Sequence, residues 1–232
     1  MSIAEKLTQI AENEQKVYDA GKQVGIDDVM ARITNYGARG HYTRAFYATD
    51  MTNMRFPDNV TIISCAYMFY DYRGKRLPSN IDLSNVTALE SIYAQSSDTI
   101  NLFSWATELV WLDDLKLPAP KSYEGTFSYM RNCIHIDMPI KVREDTLFKN
   151  TFIDTRRLAH VMFEGVIGQN GLDVSPCISL SHDSLMSIIN CLKDYSTDTS
   201  GTEWKVTLGS TNLAKLTDEE KEIATAKGWV LA

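Results

Sequence analysis

Between about residues 38 and 176 the chain keeps neither a helical period nor a strict alternation for long, and what recurs instead is a large apolar residue followed by proline. Phe56-Pro57, Leu77-Pro78, Leu117-Pro118 and Met138-Pro139 stand 21, 40 and 21 residues apart, so the middle interval is close to two steps with one proline missing near Thr99-Ile100-Asn101-Leu102. Proline lacks a backbone N–H and fixes its own φ, so each such site ends regular pairing and turns the chain. Close to these sites lie short alternating runs, Leu115-Lys116-Leu117, Ile136-Asp137-Met138 and, offset just after one, Ile81-Asp82-Leu83, each suited to a strand of three or four residues. Aromatic anchors recur at a similar spacing: Ala45-Phe46, Met68-Phe69, Ile92-Tyr93, Thr126-Phe127 and Thr151-Phe152 are separated by 23, 24, 34 and 25 residues.

A unit of 20–25 residues with one short strand and one turn-rich segment cannot bury its apolar edge alone and must stack on its neighbours. The expected fold class is therefore α+β, an irregular leucine-rich-repeat solenoid with short parallel strands, an N-terminal helix and a C-terminal helix-strand-helix-strand cap. Phe46, Phe69, Phe127 and Phe152 are expected in its core.

The flanks differ in character. Ser2 and Glu5 form a capping box, and Ile3, Leu7, Ile10, Glu14, Val17, Gly21 and Val24 follow in alternating steps of four and three, a heptad seam with two unfavourable members. Residues 1–37 are thus read as a helical segment able to oligomerise, with Ile3, Leu7, Ile10, Val17 and Val24 as the candidate contacts of a homo-oligomer; a single amphipathic helix laid on the body is the plainer alternative, and attachment to a larger assembly is what the resemblance given below implies for this segment. Residues 38–176 form the repeat region and 177–232 the cap. In the last region Ser181 is placed to cap a helix carrying Leu185, Ile188, Ile189 and Leu192, a polar turn follows at 196–201, and Trp204-Lys205-Val206-Thr207-Leu208 alternates as a strand. Thr217 and Glu220 form a second capping box, Gly228 stops that helix, and Trp229-Val230-Leu231 reads as a closing strand.

Composition narrows the partners. Thirty acidic against 23 basic residues give a net charge of −7, and no Lys/Arg run is dense enough to neutralise a track of phosphates, which argues against nucleic acid. No apolar stretch approaches the ~18 residues of a bilayer span, so membrane insertion is not expected. The first residues lack the pattern of a signal peptide, and Cys65, Cys133, Cys177 and Cys191 show neither a C-x-x-C pair nor clustering, so they are read as buried free thiols.

Candidate chemistry is sparse. His41, His135, His160 and His182 are scattered without metal-ligand spacing, and Ser181-His182-Asp183 contains triad residue types whose adjacency prevents the required relay, leaving capping as the better account. Asp113-Asp114 would point to opposite faces of a strand, and Gly165, Gly168 and Gly171 match no phosphate-binding loop. No cofactor, no metal site and no enzyme activity are expected. What remains is recognition: Tyr70, Tyr72, Arg73, Trp105, Trp111, Tyr123, Tyr129 and Arg131 fall at or near expected turns, and Tyr, Trp and Arg are the residues that most often anchor binding surfaces or stack on sugar faces.

The unit Gly125-Thr126-Phe127-Ser128-Tyr129-Met130-Arg131-Asn132-Cys133 with Ile136-Asp137-Met138-Pro139 resembles the repeat of BspA-like leucine-rich-repeat proteins, although Cys65 precedes its phenylalanine and the third unit lacks cysteine and proline. The opening Ala4-Glu5-Lys6-Leu7-Thr8-Gln9-Ile10 through Val17-Tyr18-Asp19-Ala20-Gly21-Lys22, and the ending Leu208-Gly209-Ser210-Thr211-Asn212-Leu213 through Glu220-Lys221 with Gly228-Trp229, look like proteins encoded by phages and prophages of gut Firmicutes. That resemblance implies a virion protein, held in the host bacterium's cytoplasm before assembly, whose N-terminal helix joins a larger particle and whose repeat face binds a bacterial surface protein or glycan. A structural virion component touching only other virion proteins, and a bacterial leucine-rich-repeat adhesin, are the alternatives.

Overall fold

The computed structural model describes residues 39–41, 48, 50–51, 61–65, 68–84, 102–113 and 115–232. The N-terminal segment with Ile3, Leu7, Ile10, Val17 and Val24, together with Phe46 and Tyr93, lies outside them. Among the described residues the strands are β1 (Arg39–His41), β2 (Thr61–Ser64), β3 (Ile81–Asp82), β4 (Trp111–Leu112), β5 (Leu115–Lys116), β6 (His135–Val142), β7 (His160–Gly165), β8 (Trp204–Val206) and β9 (Trp229–Leu231). The helices are α1 (His182–Cys191), α2 (Ser210–Leu213) and α3 (Asp218–Ala226).

The expectation of a leucine-rich-repeat solenoid is corrected here. The described residues form a small α+β arrangement in which short parallel strands are distributed over four separate sheets, β1-β2, β3-β5, β4-β6-β7 and β8-β9. The run of short strands reads from sequence as one stack, but several strands are only two residues long and support no continuous ladder. The longest, β6, loses register between Ile136 and Ile140, where Pro139 can donate no hydrogen bond. At β7 the three-stranded sheet stops against α1: the Ser184 hydroxyl accepts from Val161 N–H at 3.1 Å and the Ser187 hydroxyl from Phe163 N–H at 3.2 Å. These bonds satisfy edge donors that would otherwise seek another strand.

The core follows from the aromatic recurrence, with one substitution of anchor. Phe69, Phe103, Phe127 and Phe152 are buried and stack face to face, with ring centres 5.4, 5.8 and 5.5 Å apart and planes within 17°. Phe103, which the proline spacing did not single out, stands between Phe69 and Phe127. Backbone bonds run beside the rings: the N–H groups of Phe69, Phe103 and Phe127 donate to Leu102, Thr126 and Thr151 carbonyls at 2.9, 2.9 and 3.0 Å. Two residues on, the N–H groups of Asp71, Trp105 and Tyr129 donate to Ser104, Ser128 and Ile153. Buried hydroxyls add to this pairing, Thr155 Oγ1 donating to Phe127 O at 2.6 Å and Thr151 Oγ1 to Tyr123 O at 3.1 Å.

The C-terminal elements form for the local reasons read from the sequence. Ser181 Oγ accepts from Ser184 N–H and opens α1, which buries Leu185, Ile188 and Ile189. Thr217 and Glu220 close a full capping box on α3, Gly228 follows at φ +82°, and β8 pairs in parallel with β9, Trp204 opposite Trp229. The short helix α2 was not foreseen. Its buried Asn212 donates to Leu208 O at 2.9 Å and to Cys177 O at 3.3 Å, fastening this segment to the turn before α1.

Candidate binding surface

Asp71, Trp105, Tyr129 and Asp154 each stand two residues after a column phenylalanine, and all four have positive φ, between 53° and 62°. That conformation is uncommon outside glycine and turns the chain out of the core immediately after the buried ring. At Trp105 and Tyr129 the turn carries large side chains, and their rings stack with centres 4.3 Å apart and planes 13° from parallel. Trp105 keeps 39% of its surface exposed.

Arg131 joins this stack to a charged neighbour. Its guanidinium carbon lies 5.7 Å from the Trp105 ring centre, within range of a cation–π attraction, and its Nε–H donates to Asp154 Oδ2 at 2.6 Å. The other oxygen of Asp154 pairs with Arg156 Nε at 2.8 Å. Arg131's hydrogen bond, then the charges of Arg131 and Arg156, hold the Asp154 carboxyl below the usual carboxylate range. Arg131, Asp154, Arg156 and Arg157 line an open groove of about 390 Å³. Arg157 donates to Asn132 Oδ1 at 3.1 Å, while Asn132 Nδ2 reaches Thr107 O at 2.8 Å, so the groove floor is tied to the turn below Trp105.

A second row of rings lies six residues further along each turn. Trp111, His135 and His160 are in-register partners across β4, β6 and β7; Trp111 and His135 stack at 4.3 Å and 8°, and His160 follows at 5.9 Å. His135, Asp154, Arg156, Arg157 and His160 were not among the candidates drawn from sequence. The available signal was their offset, since His135 and His160 stand to Tyr129 and Asp154 as Trp111 stands to Trp105.

The eight sequence candidates divide. Trp105, Tyr129 and Arg131 meet in one cluster and Trp111 joins the second row, while exposed Arg73 pairs with Asp71 at 3.7 Å and Tyr70 is half-buried. Tyr72 and Tyr123 are corrected: both are core residues, 1% and 0% exposed. The Tyr72 hydroxyl accepts from Met51 N–H at 3.0 Å and donates to Arg76 O at 2.9 Å. The Tyr123 hydroxyl donates to Lys141 O at 2.9 Å, and burial pushes its pKa up. An aromatic near a turn can face either way, and a phenol that finds a backbone carbonyl can be fully buried.

Elsewhere the residue types of interest have local explanations. Ser181 caps α1, and His182 Nε2 meets Glu220 Oε1 at 2.8 Å and not a serine hydroxyl. Asp113 lies 3.7 Å from Arg76, and Asp114 is outside the described residues. Gly165, at φ +115°, and Gly168 pass so close to the backbone oxygens of Val142 and Glu144 that a Cβ would come within 2.1 and 2.7 Å, which makes them packing glycines. Cys65, Cys133 and Cys177 are buried, with burial pushing the Cys133 thiol up to about 12, and Cys191 is half-buried. A larger concavity, about 600 Å³, is lined by Leu147, Lys149, Asn150, Phe152 and Asp173 among others, with Asp173 its one carboxylate.

Among the described residues no group of three or more His, Cys, Asp or Glu is placed to hold a metal ion, and no helix is long and apolar enough to cross a membrane. Comparison of the chain with protein-family models, curated proteins and solved structures finds no match in any of the three.

Proposed function

We propose that this is a non-enzymatic, phage- or prophage-associated recognition protein that binds a bacterial surface protein or glycan through the face built on Trp105, Tyr129 and Arg131. One observation carries the reading: a two-ring stack of exposed Trp105 on half-buried Tyr129 is held in place by paired backbone bonds beneath it and by an arginine fixed over it by Asp154. Preorganised aromatic and arginine side chains bind with little further ordering, which is where association usually loses free energy. The phage association rests on the resemblance of the two terminal segments. The N-terminal segment is assigned attachment on the same basis, and self-association on its heptad at Ile3, Leu7, Ile10, Val17 and Val24.

The test is binding of the labelled full chain to a panel of gut Firmicutes cells beside a Trp105→Ala/Arg131→Ala variant with unchanged unfolding behaviour. Saturable binding to some strains, reduced about tenfold or more in the variant, is the expected result. Binding that the variant retains would remove the assignment to this face, and no binding to any strain would favour a virion component that contacts only other virion proteins.

A further inference from the structure

We infer that the surface takes an acidic glycan, with a sugar ring against the Trp105–Tyr129 stack and its anionic substituent in the groove of Arg131, Arg156 and Arg157; this rests on the recognition reading above and names its ligand class. Three guanidinium groups line the groove against one carboxylate, Asp154, giving a local excess of positive charge on a chain whose net charge is −7. The ion pairs to Asp154 are made through the Nε of Arg131 and of Arg156, and Arg157 contributes one terminal nitrogen to Asn132. Each guanidinium carries five N–H donors, so these contacts fix the arginines while leaving terminal donors for a carboxylate, sulfate or phosphate oxygen. Asp154 acts as a positioning residue: in its left-handed conformation it holds two arginines beside each other that would otherwise repel.

Arg131 makes the anion groove and the ring platform a single surface, because it touches both Trp105 and Asp154. The pairing of a flat apolar face with an adjacent anion subsite fits a sugar carrying one negative group. A nucleic acid fits less well, since its affinity comes from many phosphates neutralised along a track, and the groove offers one locus. A neutral glycan would leave the arginine groove unused.

The experiment measures binding of the purified full chain to polygalacturonate, heparin and a phosphomannan, which present carboxylate, sulfate and phosphate on sugar rings, beside neutral dextran and a single-stranded oligonucleotide. The variants are Arg156→Gln/Arg157→Gln, whose side chains line an open groove, and Trp105→Ala, each checked for an unchanged unfolding transition. Saturable binding to at least one acidic polysaccharide and not to dextran, weakened about tenfold or more by the arginine pair and also by Trp105→Ala, supports the inference. Equal binding to dextran, an unaffected arginine variant, or oligonucleotide binding as tight as that of the best polysaccharide overturns it. So does failure to bind any acidic polymer, and cell binding by the same preparation then separates the two claims: Trp105-dependent attachment to cells leaves surface recognition standing, and its absence removes both.

Discussion

Tyr72 shows how one hydroxyl ties two stretches of chain together. It accepts from Met51 N–H inside the core and donates to Arg76 O at the core's edge, with Gly74 leaving room for the ring. Tyr72→Phe keeps the packing and strands both partners, so it is expected to cost about 1–3 kcal/mol in chemical denaturation. Trp105→Ala removes a partly exposed ring and is expected to cost under ~1 kcal/mol while lowering ligand binding. The contrast explains what was readable at this scale. Residue type nominated Tyr72, Tyr123, Trp105 and Tyr129 alike, because all four are aromatics near turns. Their separation depends on backbone conformation: Trp105 and Tyr129 occupy the left-handed position after a buried phenylalanine, and nothing in the residue type of Trp or Tyr announces a positive φ.

At the scale of elements, capping chemistry was the most legible feature, because a Ser or Thr side chain bonds an N–H two or three residues away and needs no distant partner. Thr217→Ala should lower stability by about 0.5–2 kcal/mol, read from thermal unfolding. The contact between α1 and α3 was not legible, since His182 and Glu220 lie 38 residues apart. Glu220's hydrogen bond raises the His182 pKa above 6.5, while the Thr217 backbone N–H and then His182 lower that of Glu220 below 4.5. The histidine's share of the stabilisation is complete below pH 6.5 and is lost as pH rises through its raised value; the glutamate's is complete above pH 4.5 and is lost as pH falls through its lowered value. The pair therefore contributes most between pH 4.5 and 6.5, and a His182→Ala variant should show a flatter stability profile on the alkaline side of that window. Both groups are solvent-facing, so the effect is small and weakens with salt.

For the whole molecule, the aromatic recurrence carried more information than the prolines. Phe69, Phe127 and Phe152 were readable as anchors and are buried in one column, whereas the missing proline near residue 99 hid Phe103 and with it the true spacing. The sheet arrangement was misread because a repeating sequence interval says which segments meet and not whether their strands are long enough to join: Trp111 pairs with His135 and His135 with His160, but β3-β5 and β8-β9 stay separate. Phe127 touches Phe103, Phe152 and Tyr123, so Phe127→Ala should cost about 3–5 kcal/mol and lower the main unfolding transition. Hydroxyl-radical footprinting of the protein free and bound to a strain that retains it tests the account most directly, because the radical labels exposed Trp, Tyr and His side chains. Labelling of Trp105 and Tyr129 should fall on binding while that of Tyr195 and Trp204, stacked on each other near the C-terminus, stays unchanged. Equal labelling of Trp105 and Tyr129 in the free and bound protein would contradict recognition through this face.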